Sequence, residues 1–120
     1  MKKLLFIVLS TLPILLGSCK KTEYLDNQPQ LEIKVLDANG EAISNASVVL
    51  YNSENDWKAQ TNPVTSHQTD NLGIVLFDNL QEQVYYFYAS KGELNNKESV
   101  SILNDPLKVN VRAQITTILK

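Results

Sequence analysis

The chain has 120 residues, eleven Lys or Arg against thirteen Asp or Glu, a net charge of −2 and 43 % hydrophobic residues. That length and composition suit one domain with a modest core, and the mildly acidic balance excludes the basic field that a nucleic-acid partner requires. The single histidine and single cysteine exclude metal sites needing two or more histidines and any internal disulfide.

Met1, Lys2 and Lys3 form a basic start, and residues 4–16 are apolar except for Ser10, Thr11 and Pro13. This is the pattern of a secretory signal. The run falls short of the roughly 20 apolar residues of a spanning helix, and Pro13 would remove a hydrogen bond near its middle. The run ends in Leu16-Gly17-Ser18-Cys19, which resembles the lipobox of bacterial lipoproteins. The resemblance implies a diacylglycerol joined to the Cys19 thiol, cleavage just before Cys19, and a lipid-anchored place in the cell envelope, at the outer membrane. An unpaired thiol in an oxidising compartment is otherwise a liability.

The expected divisions are a signal over residues 1–18, a tether over 19–30 and a folded domain over 31–120. Loss of Lys2 and Lys3 leaves nine basic against thirteen acidic residues, a net charge of −4. Lys20 and Lys21 would sit beside the anchor, either near anionic headgroups that contribute about 1 kcal/mol for each or simply solvated as part of the tether. Residues 19–30 are mostly polar and show no period; extended, they would reach about 40 Å.

Leu31, Ile33 and Val35 alternate with Glu32 and Lys34, the period of a strand. Asp37-Ala38-Asn39-Gly40 then marks a hairpin turn, because Asn and Gly tolerate positive φ. A second strand is predicted over residues 46–51, apolar on both faces and so interior to a sheet. Residues 52–65, with Trp57 and Pro63, are expected to form a long loop joining the two sheets. A short strand over 66–69, a turn at Asp70-Asn71-Leu72-Gly73 and a strand over 74–77 follow. Residues 84–90 form a strand with Tyr85, Phe87 and Ala89 on one face and Tyr86 and Tyr88 on the other. Val100 and Ile102 alternate with serines before Asn104-Asp105-Pro106 turns the chain. In the last predicted strand Val109, Val111, Ala113 and Ile115 share the buried face. Seven or so short strands in about 100 residues predict an all-β, antiparallel Greek-key sandwich.

Five stretches support a family resemblance: residues 33–40, Ala46-Ser47-Val48-Val49-Leu50, Thr69-Asp70-Asn71-Leu72-Gly73, Phe77-Asp78-Asn79-Leu80 and Tyr85. Together they resemble a carboxypeptidase-regulatory-like domain and the similar collagen-adhesin B-type repeats. The resemblance implies a prealbumin-like sandwich in which glycines relieve turn strain, Asp70 caps a turn, and Leu80 and Tyr85 plug the sandwich ends. Gln83 stands where the family often has glycine, so the turn there is expected to differ. Adhesin-type members join a first-strand lysine to a late asparagine by an isopeptide bond that a buried acid promotes. Lys34 and Asn110 occupy comparable places, but Tyr86-Phe87-Tyr88-Ala89 supplies no acid. No bond is therefore expected, and Lys34 should face solvent. A ureide hydrolase shares the prealbumin fold, but it needs several histidines and a carboxy-terminal Tyr-Arg-Gly-Ser, absent here.

The residues offer little chemistry. His67 reads as an exposed loop residue. Asp37, Asn39 and Glu41 are spaced like calcium ligands, yet a hairpin turn accounts for them without metal. Trp57 is the candidate ligand contact, since an exposed indole presents an apolar face and a polar edge to a protein or glycan partner; the alternative is that it folds back to cover the core. No catalytic residue, cofactor or metal is expected. The reading is a membrane-anchored, non-catalytic binding or accessory module. The alternative is a structural component of a surface assembly whose apolar run 115–119 extends past its neighbours as an open edge.

Overall fold

The structure is a computed structural model that describes residues 28–120. The expected signal, Cys19 and nearly all of the tether lie outside the described residues. Seven strands and one helix are described: β1 (Gln30–Leu36), β2 (Ser47–Tyr51), α1 (Glu54–Ala59), β3 (Thr65–Gln68), β4 (Ile74–Phe77), β5 (Tyr86–Lys91), β6 (Leu94–Asn95) and β7 (Arg112–Ile118). They form a three-stranded sheet in the order β4-β1-β7 and a four-stranded sheet in the order β3-β2-β5-β6. An all-β sandwich is the result.

The alternation read in the sequence decides which faces meet. Leu31, Ile33 and Val35 of β1 point inward against Val48 and Leu50 of β2, Val75 and Phe77 of β4, and Phe87 and Ala89 of β5. Each such side chain contributes about 1.5–3 kcal/mol by leaving water. Leu80 and Tyr85 close one end of the sandwich. The Leu80 N–H donates to the Pro29 carbonyl at 3.2 Å, and the Tyr85 hydroxyl accepts from the Gln81 N–H at 2.9 Å.

Two Asx turns organise the crossings. Asp37 Oδ1 accepts from the Asn39 and Glu41 N–H groups, and Asp70 Oδ1 accepts from those of Leu72 and Ile74. The first turn differs from a simple hairpin between paired strands. Only Ala42 bridges back to Leu36, after which the chain passes to the other sheet. The turn expected to depart from the family pattern takes its positive φ at Asn79, at 55°, and the Gln83 N–H donates two residues back to the Gln81 carbonyl at 2.9 Å.

Four expectations change. Residues 52–65 join β2 to β3 within one sheet rather than joining the sheets, and they contain α1. Ser53 caps that helix by accepting from the Asp56 N–H at 3.2 Å. The last strand begins at Arg112 instead of near residue 108, because Asn110 adopts φ 63° and ends the extended run. Val109 and Val111 are consequently exposed. The run 115–119 does not overhang its neighbours: β7 pairs with β1 through Leu36↔Ile118, the Leu119 N–H donates to the Leu36 carbonyl at 2.9 Å, and Lys120 and Asn95 exchange backbone bonds. Finally, β1 and β7 run parallel, although every other pairing is antiparallel.

Candidate functional site

The aromatic residues singled out in the sequence share the outer face of the four-stranded sheet. Helix α1 packs on β2 and β5, which brings Trp57 to 6.3 Å from Tyr86, ring centre to ring centre. The indole Nε1–H donates to the Phe87 carbonyl at 3.0 Å. Trp57 is therefore half-buried with its polar edge directed into the fold, and only part of its ring meets solvent. Tyr51 of β2 pairs with Tyr86 on the same face and is 3 % exposed; burial, reinforced by neighbouring Tyr88, raises its phenol above the ordinary 10.0. Lys97 Nζ lies 5.8 Å from the Tyr88 ring centre.

The other candidate residues stay apart. His67 is exposed on β3, its ring 5.0 Å from that of Phe77. Lys34 faces solvent on β1 opposite Thr116 of β7. Asn110 lies before the start of β7, six residues ahead of Thr116, so the register does not pair it with Lys34. Asp37 directs its carboxylate to its own turn. Among the described residues no three His, Cys, Asp or Glu side chains gather as a metal site.

A feature that residue-by-residue reading missed lies along β7. The Gln30 N–H donates to the Val111 carbonyl at 3.2 Å and the Leu119 N–H to the Leu36 carbonyl. Those two bonds set the parity of the parallel ladder: odd-numbered residues of β7 turn their backbone groups toward β1, and even-numbered ones turn them away. At the carboxy-terminal end the outward side is closed, since the Ile118 N–H donates to Ser99 Oγ at 3.2 Å and Thr117 Oγ1 to the Val100 carbonyl at 2.6 Å. At Arg112, Gln114 and Thr116 the outward N–H and C=O groups meet no partner among the described residues.

The neighbouring loop leaves this edge open because it is tied elsewhere. Leu103 and Leu107 donate to the Tyr85 and Gln83 carbonyls at 3.2 and 3.1 Å, and the Val109 N–H donates to Glu82 Oε2 at 3.0 Å. Residues 103–108 are thus held to the four-stranded sheet's side. Between them and β7 runs a groove of about 310 Å³, with Leu103, Pro106, Leu107, Val111, Ala113 and Ile115 among its walls and Asp105 and Lys108 beside them. An apolar groove beside unpaired backbone groups can receive an extended polypeptide, with main-chain bonds for affinity and side-chain pockets for selectivity.

No family model matches the sequence, and no curated protein matches it. Among solved structures, the chain is similar to BcpA, the major pilin subunit of Bacillus cereus, with a TM-score of 0.52 and 20 % identity over 78 % of this chain and 30 % of that one. It is also similar to the pilus 2b backbone protein of group B streptococcus, with a TM-score of 0.48 and 19 % identity over 77 % of this chain and 41 % of that one. The chain thus spans less than half the length of either. At these identities the likeness concerns the fold.

Proposed function

We propose that the chain is a non-catalytic, lipid-tethered component of a cell-surface or envelope assembly and makes its contacts through the open edge of β7. The observation that supports this most is the row of backbone groups at Arg112, Gln114 and Thr116 that meet no partner among the described residues, beside an apolar groove. Folded domains ordinarily protect such an edge by covering, charging or shortening it. Here β7 is seven residues long, and Arg112 is the sole charged residue in it. BcpA, which this chain resembles in fold, is a major pilin subunit, and that agrees with an assembly role. Anchorage rests on Leu16-Gly17-Ser18-Cys19, and an envelope location follows from it.

A contact at Trp57 with a protein or glycan is the competing reading; it would use the exposed part of the indole together with Tyr86. Photo-crosslinking amino acids placed singly at positions 114 and 57 and expressed in intact cells separate the two. The assembly reading expects a discrete adduct from 114 and none from 57. Adducts from 57 alone would replace it with the binding-module reading.

A further inference from the structure

We infer that the β7 edge is self-complementary and pairs antiparallel with β7 of a second copy about a twofold axis through Gln114. The inference rests on reading that edge as the contact surface, and adds the occupant and the register.

The open window is symmetric. Its outward backbone groups sit at residues 112, 114 and 116, and Ser99 and Val100 close the strand immediately beyond. With the axis at Gln114, Arg112 lies opposite Thr116 of the second copy and Gln114 lies opposite itself. Each opposed pair exchanges two backbone bonds, so every outward group in the window is satisfied.

Charge and backbone pairing favour this register over those centred on Arg112 or Thr116. Centring on Arg112 would set two guanidinium groups face to face, which is destabilising in a cross-strand pair. Centring on Thr116 would demand the Ile118 N–H, which already donates to Ser99 Oγ. The Gln114 register has no like charges opposed, and Arg112 keeps Glu32 at 3.8 Å within its own subunit. On the inner face it sets Ala113, which is small, opposite Ile115 of the second copy, and the groove of about 310 Å³ gives the larger side chain room. The result is a closed pair with one continuous sheet, as an isologous contact requires. A window of this length buries less than the roughly 1,200–2,000 Å² of a standard stable interface, so the pair is weak in dilute solution and is best read by covalent trapping.

The test uses the full chain with Cys19→Ser, so that an introduced thiol is alone. In the proposed register Gln114→Cys brings two Cα atoms to about 5.5 Å, within the roughly 4.4–6.8 Å a disulfide spans. Thr116→Cys leaves its two copies four residues out of register, about 13 Å apart. Under mild oxidation Gln114→Cys should form disulfide dimer at least tenfold faster than Thr116→Cys. A mixture of Arg112→Cys and Thr116→Cys chains should form the mixed dimer, and adding Gln114→Lys to both should abolish it by opposing two cations. A thermal melt of each variant confirms folding. Equal rates for the two single variants, or no dimer from Gln114→Cys, would overturn self-pairing. Adducts from position 114 in cells would then still support an edge contact with another protein, so the two readings fail separately.

Discussion

Gly73 has φ 75°, and a Cβ built there would come within 2.7 Å of the Val35 carbonyl oxygen, a backbone atom that cannot step aside. Its own carbonyl accepts from the Val35 N–H at 2.7 Å, so the close approach is part of the β1 to β4 pairing. Gly40 has φ 84° but open space around it. Gly73→Ala should therefore cost about 2–4 kcal/mol, combining left-handed strain with displacement of β1, while Gly40→Ala should cost about 1–2 kcal/mol from strain alone. Urea unfolding of both variants measures the difference. These turns were legible in the sequence because Asp, Asn and Gly announce them locally. Asn96 was not: its neighbours Asn95, Lys97 and Glu98 are polar and show no strand period, yet it is fully buried. Its Oδ1 accepts from the Ala89 N–H at 2.9 Å, and its Nδ2 donates to the Phe87 and Val100 carbonyls at 3.3 and 2.9 Å. One side chain replaces the strand that β5 lacks there. Asn96→Ala should leave several buried groups unpaired and cost about 2–4 kcal/mol in the same assay.

At the scale of elements, period 2 is clearest where one face is buried and the other wet, as in β1 and β5. It overran at β7, where Val109 and Val111 continue the alternation but Asn110 turns the backbone. It missed α1, whose six residues are too few for a helical period; the signal present was Ser53 three residues before Asp56, a helix start with acidic residues in the first turn. The helix packs on an otherwise open sheet face, and the Trp57 to Phe87 bond fixes it there. Trp57→Phe keeps most of the apolar area and loses that bond, so a loss of about 1 kcal/mol is expected in unfolding. Tyr51 on the same face carries a pH dependence. Its phenol titrates higher in the folded chain than in the unfolded one, so its contribution is constant below pH 10.0 and falls as pH rises through that value toward the raised one. Stability measured from pH 9 upward should decline less steeply in Tyr51→Phe than in the parent chain.

Topology of the whole molecule was partly hidden. Hydrophobic alternation says that a segment is a strand but not which strand lies beside it. The parallel pairing of β1 with β7 therefore joins residues more than eighty positions apart without any local trace. The open edge follows from that pairing and from Leu103, Leu107 and Val109 being tied to Tyr85, Gln83 and Glu82. Sequence reading expected an edge over residues 115–119 from an overhang that does not exist; the open groups lie instead at Arg112, Gln114 and Thr116, and residues 117–120 are tied down. Amide hydrogen exchange along β7 tests the central claim most directly, in the purified chain at low concentration and in isolated envelopes. The amides of Ala113, Ile115 and Thr117 face β1 and should be protected in both settings. Those of Arg112, Gln114 and Thr116 should exchange fast in the dilute chain and become at least tenfold slower in envelopes. Equally fast exchange of these three in both settings would show that nothing pairs with the edge where the protein works, and would contradict the account.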